Sequence, residues 1–259
     1  APPADMAGWC SLAFVWNVSD DSSGLTLFDW DAVANWAPMG VAGSASLTAG
    51  PRVPSASDDV CIAGADTSEL VGVAGAAAAR SVRGDGSSAV LLDGAAAGWS
   101  VTGSVSLDHL RMDGDAADRA TVEVGGDLAV RLLWAMRGDV DVAGSIANTG
   151  NGSSLIEAAT IAADGGWTIP SGHTAYVADA IIDTPLDVAG TLRVQTAAAL
   201  LDVVTIAGTL SVAGGTALDF STLITTDTTQ WKLDVADPAA PPRIKISHAT
   251  IRGDVTVDL

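Results

Sequence analysis

LDVAGTLRV, Leu186 to Val194, is followed eighteen residues later by VTIAGTLSV, Val204 to Val212, with glycine at the same place in both. Within each phrase, apolar residues alternate with Asp, Thr, Arg or Ser about the central Gly. A period of two is the pattern of a strand with one buried face, and a glycine inside it marks a bend or a close backbone approach. The template returns as WSVTGSVSL (Trp99 to Leu107), VEVGGDLAV (Val122 to Val130), VDVAGSIAN (Val140 to Asn148) and ATIRGDVTV (Ala249 to Val257). Repetition of one short phrase along a chain is the signature of a solenoid or a propeller.

The glycines set the period. Gly84, Gly103, Gly126, Gly144, Gly190, Gly208 and Gly253 are separated by 19, 23, 18, 46, 18 and 45 residues. Each long gap is close to two steps and holds a degenerate copy, GGWTIPSG around Gly166 or TQWKLDV around Trp231. Steps of roughly 18 to 24 residues suit one coil of a β-helix, whereas a propeller blade takes about 40. The expected fold is all-β: a right-handed parallel β-helix of about nine rungs over residues 63–259, with an N-terminal cap over residues 1–62. The first 62 residues hold Trp9, Trp16, Trp30 and Trp36 and a Pro-containing stretch. A distinct segment is expected there because a solenoid end exposes strand edges and an apolar core.

Composition agrees with slim layers of small and β-branched residues. The 259 residues are 48% hydrophobic but only 5% aromatic, with 28 glycines. Of 31 acidic residues only Glu69, Glu123 and Glu157 are glutamates, and aspartate favours turns where glutamate favours helix. Twelve basic residues leave a net charge of −19, which argues against nucleic acid or anionic membranes as partners. No apolar run reaches the roughly 18 residues of a membrane span, so membrane insertion is not expected. The opening APPADMAGWC, without an initiator Met, is what removal of a signal peptide or tag leaves. Cys10 and Cys61 are expected to form a disulfide in an oxidising compartment and to be two buried thiols otherwise.

The stretch DWDAVANWAPMG, followed by VPSASDDVCIAG, resembles the opening of bacterial and phage surface proteins of the right-handed parallel β-helix type. There, a W…NW segment leads through a Pro and a DDVxI strand into Gly-rich rungs. The matching positions are Trp30, Asn35, Trp36, Pro54, Asp58, Asp59, Val60 and Ile62, with GVAGSASLTAG (Gly40 to Gly50) as a variable spacer. The resemblance implies fold and extracellular exposure more than activity, because such solenoids serve as stalks, adhesins, virion fibres and polysaccharide-cleaving enzymes.

Candidate chemistry is sparse. Arg-Gly-Asp occurs at Arg83, Arg137 and Arg252; the tripeptide is read as turn chemistry in the ladder, with receptor binding as the competing reading. Asp113, Asp115 and Asp118 offer oxygen ligands for Ca²⁺ but lack the Gly and distal Glu of an EF-hand loop, so a solvated loop is expected and no cofactor is assigned. His109, His173 and His248 are far apart, with no ligand partners at zinc spacing.

Enzymatic alternatives need two carboxylates on one face, which coil stacking could supply, for instance around Asp127. Aromatic platforms are limited to Trp99, Trp134, Trp167, Trp231, Tyr176 and Phe220, some of them expected in the core. Asn17 and Asn151 begin glycan-acceptor triplets. The expected role is a non-enzymatic structural or adhesive solenoid on a cell surface or virion, self-associating through its ends. Polysaccharide binding or cleavage, with surface glycans as partners, is the alternative.

Overall fold

In the computed structural model, 27 strands and no α-helix occur among the described residues, which are 10–14, 26–39, 51–62, 69–94, 97–114, 119–234, 239–252 and 255–258. Trp9, Trp16, Asn17, the 40–50 spacer, Asp115, Asp118, Gly253 and Asp254 lie outside them. The strands form a parallel β-solenoid with three strands to a turn.

Each turn visits three faces in order. Face A stacks Asp59–Ile62, Ser81–Gly84, residues 105–107 and 128–130, Ile146–Asn148, Trp167–Ile169, Leu186–Val188, then residues 204–206, 222–225 and 248–250. Face B runs from Thr26–Asp29 and Glu69–Val73 through Ala89–Asp93, residues 109–113 and 132–136, Gly152–Glu157, His173–Ala178, Thr191–Val194, Thr209–Val212 and Gln230–Asp234 to Val255–Asp258. Face C runs from Ala76–Ala79 through Gly98–Val101, Ala120–Val124, Gly138–Val142, Thr160–Ala163 and Ala180–Asp183 to residues 197–200, 217–220 and 243–246.

Alternation decides which side chains fill the prism. The inward positions stack like on like, for example Val60, Val82, Val105, Leu128 and Ile146 on face A, all essentially inaccessible. Large rings are distributed one to a level, Trp99 and Phe220 from face C, Trp167 from A and Trp231 from B, and all four are buried. Parallel strands buried in this way are held by their apolar face, at about 25 cal/mol per Å² removed from water.

The ladder glycines sit at two different corners, not one. Gly103, Gly126, Gly144 and Gly165 form a column where face C turns into face A, each donating its N–H to the carbonyl of the residue stacked one coil earlier: Arg80, Gly103, Gly126 and Gly144. Gly190 and Gly208 stack where A turns into B, and a Cβ on Gly208 would lie 1.9 Å from the Gly190 carbonyl oxygen. Backbones that close leave no room for a side chain. The third corner, B into C, uses single left-handed residues, Arg137, Ala158 and Asp179, with φ of 55°, 50° and 50° on successive coils.

The N-terminal segment joins the same stack. Leu12–Phe14 pairs parallel with Asp59–Ile62 and antiparallel with Trp36–Pro38. Trp30, Trp36 and Phe14 pack edge to face at 4.9 Å, and Trp30 meets Trp99 of the solenoid core at 5.9 Å. The Trp36 indole N–H donates to the Trp30 carbonyl, and Asn35 donates to that of Asp29. Pro54 is buried. Cys10 and Cys61 are joined as a disulfide with Cα atoms 5.7 Å apart.

Candidate functional site

Face B carries the outward aromatics. Register places Leu91, Arg111, Trp134, Leu155, Tyr176, Arg193, Ser211 and Lys232 in one outward column, one residue per coil. Of the six solenoid aromatics singled out in the sequence, Trp134 and Tyr176 are half-buried and face outward, and the other four are in the core. The Arg111 guanidinium lies over the Trp134 ring at 5.6 Å and that of Arg193 over Tyr176 at 5.7 Å, both within the range of a cation–π contact. The Trp134 indole N–H donates to the Ser153 carbonyl at 3.0 Å, which fixes the ring against the next coil. Beside this column runs a second outward column of hydroxyls, Ser153, Thr174, Thr191 and Thr209.

His109 stands edge-on to Trp134 with centroids 4.7 Å apart. Burial pushes its pKa down to about 4; Asp108 opposes the shift, and Arg111 and Arg131 assist it. The imidazole is therefore neutral at pH 7. Arg131 clasps Asp108 through two hydrogen bonds at 2.6 and 2.8 Å, and Arg111 pairs with Asp113 at 2.6 Å. Asp113 is thus an arginine partner, while Asp115 and Asp118 fall outside the described residues. No group of three or more His, Cys, Asp or Glu among the described residues is placed to hold a metal ion.

His173 belongs to a network inside the core that sequence reading missed. The Trp167 indole donates to Asn148 Oδ1 at 2.8 Å, and Asn148 Nδ2 donates to Ser154 Oγ at 3.0 Å. Leu133 N–H also donates to Ser154 Oγ, so the hydroxyl proton is free for His173 Nε2 at 2.9 Å. The ring proton then sits on Nδ1 and goes to the Gly150 carbonyl. The Ser–His pair has the reach of a nucleophile and base, but both side chains are fully buried, so it satisfies polar groups and meets no substrate. Its signal in the sequence was polar residues at inward positions of the alternation. His248 is exposed on the last strand of face A.

The carboxylate pair anticipated around Asp127 is not formed there. Asp127 accepts both the N–H and the hydroxyl of Ser145 on the next coil, contacts that lower its pKa. Register instead brings Glu123 beside Asp141 on face C, both exposed, lining a groove of about 400 Å³ with Ser100 and Thr102. The Arg-Gly-Asp copies occupy two corners: Arg83 and Arg252 lie where face A turns into B, and Arg137 where B turns into C. Gly84 ends a face-A strand, and Asp85 accepts from the Ser87 N–H and hydroxyl. Arg137 is the left-handed B-to-C residue, and Asp139 pairs with Arg119 at 2.7 Å. Arg252 exchanges backbone hydrogen bonds with the Thr225 hydroxyl.

Among the N-terminal positions expected from the sequence to form a cap, Asp58 is 2% exposed and ringed by donors: Arg52, the Ser55 N–H and hydroxyl, and the Ser11 hydroxyl. Burial alone would raise its pKa, but these hydrogen bonds outweigh burial and hold it at about 2. Asp59 is lowered by Arg80 and Ser81. No protein-family model, curated protein or solved structure matches this chain.

Proposed function

We propose that this chain is a non-enzymatic extracellular solenoid with a structural and adhesive role, a component of a cell-surface or virion fibre or appendage. The observation that carries the reading is the continuity of its ladders. Parallel pairing runs coil on coil from Leu12 to Asp258 around a filled core. A stack of that kind is tied along its axis by unbroken backbone ladders, and because each coil contacts only its neighbours its outward residues vary without disturbing the interior. The Cys10–Cys61 bond supports an oxidising compartment, and the W…NW…P…DDVxI resemblance supports the same setting. Partners would be further structural subunits or surface glycans.

Negative-stain microscopy of the purified protein, with its mass in solution, tests the reading. Regular oligomers or fibres are the expected result, and a protein that stays monomeric at every concentration would reject it. A second reading, polysaccharide cleavage on face C, rests on the Glu123–Asp141 neighbours. It requires release of reducing ends from a polysaccharide, lost in Glu123→Gln.

A further inference from the structure

The outward column of face B reads Arg111, Trp134, Leu155, Tyr176, Arg193, a sequence symmetrical about Leu155. Strands in a ladder are 4.7–4.9 Å apart, so Trp134 and Tyr176, two coils apart, stand roughly 9.5 Å from each other along the solenoid axis. That spacing is comparable to the span of a disaccharide. Half-buried aromatic rings supply apolar area to the C–H faces of a sugar, and their cost in lost motion is small because cation–π contacts and the Trp134–Ser153 hydrogen bond already hold them. The parallel hydroxyl column supplies donors and acceptors at the same repeat.

Charge selects the partner. The strip from His109 to Arg193 balances three cations, Arg111, Arg131 and Arg193, against three anions, Asp108, Asp113 and Glu157, and two of the arginines are already paired. The whole chain carries −19, so its field repels a polyanion. A polycation would favour the outward carboxylates of face C, Glu123, Asp141, Asp183 and Asp219. A neutral chain is the complement of a balanced strip.

We propose that face B binds a neutral, linear polysaccharide lying along the solenoid axis, with Trp134 and Tyr176 as stacking platforms and Ser153, Thr174, Thr191 and Thr209 as a polar rail. This deepens the adhesive reading above and rests on it. The test is a glycan array carrying neutral and acidic polysaccharides, followed by titration calorimetry with cellohexaose, xylohexaose, mannohexaose, laminarihexaose and polygalacturonate. Neutral glycans should bind, Trp134→Ala and Tyr176→Ala should each weaken the affinity at least tenfold, and Ile181→Ala on face C should leave it unchanged. Circular dichroism of each variant reports whether the fold is intact.

No binding to any neutral glycan, binding to acidic glycans alone, or binding indifferent to both aromatic changes in folded protein would each overturn the proposal. Microscopy of the same samples separates the two readings. Assembly without glycan binding sinks the ligand assignment alone, and glycan binding by a protein that stays monomeric sinks the structural role.

Discussion

Asp58→Asn is the sharpest test of how the N-terminal segment is fixed to the stack. The carboxylate has three kinds of donor converging on it, from Arg52, Ser55 and Ser11, and is 2% exposed. An amide of the same shape turns one acceptor into a donor, which then faces other donors, and removes the charge that Arg52 engages. The shift from 3.8 to about 2 corresponds to about 2 kcal/mol favouring the ionised form in the folded state, at ~1.4 kcal/mol per pKa unit. Orphaning the buried partners adds to this, so the expected loss is about 2–4 kcal/mol.

The sign with pH follows from linkage. A carboxyl with a depressed folded pKa contributes its full stability above its unfolded value of 3.8, and the contribution is lost as pH falls through about 2. Solenoids unfold coil by coil, and the disulfide keeps a loosened segment tethered, so the assay must be local. Hydrogen exchange at the Ser11, Asp59 and Val60 amides serves, since Ser11 N–H bonds the Asp59 carbonyl and Asp59 N–H bonds the Ser11 hydroxyl. Wild-type protection there should fall between pH 4 and pH 2, and Asp58→Asn should show low protection with a flatter response. Identical pH profiles for the two proteins would refute the reasoning.

Gly208→Ala places a methyl 1.9 Å from the Gly190 carbonyl oxygen and should cost about 1–3 kcal/mol in thermal melts, while Gly86→Ala, with nothing within 4 Å, should be neutral. Ala158→Gly relieves a left-handed alanine at φ 50° and should stabilise by about 1 kcal/mol, measured by denaturant midpoint. Asn148→Ala leaves the Trp167 indole without its acceptor and should cost about 1–3 kcal/mol. Burial lowers the His173 pKa, so its contribution is present above the ordinary histidine range and lost as pH falls through the lowered folded value. Reducing Cys10–Cys61, which closes a separation of 51 residues, should remove up to about 4 kcal/mol, seen as faster proteolysis near Cys10.

The repeat and its strand content were legible because alternation about a glycine survives in most copies. The corners were not. Gly144 and Gly190 look like members of one series two steps apart, yet the first stacks on Gly126 at the C-to-A corner and the second lies beneath Gly208 at A-to-B. Alternation gives the face of a residue within its strand and says nothing of which side of the prism that strand builds. Long strands such as Val105–Asp113 hide a corner altogether, passing from face A to face B without a glycine. The same limit applies to the aromatics, since Trp99 and Trp134 both sit in alternating runs and only register separates the buried ring from the outward one. Asn148, Ser154 and His173 meet only because two coils stack.

That meeting has a consequence for assembly of the molecule itself. Most inward positions of the stack are apolar, and a nascent coil docked one level out of place would there still cover oil with oil. At the level of Asn148 the proton donors point one way, from indole to amide to hydroxyl to imidazole to carbonyl. A misplaced neighbour there would strand buried polar atoms at about 1–3 kcal/mol apiece. The network works as a key cut at a single height in the stack, against which coils on either side find their place and wrong alignments, the characteristic fault of repeat proteins, are rejected.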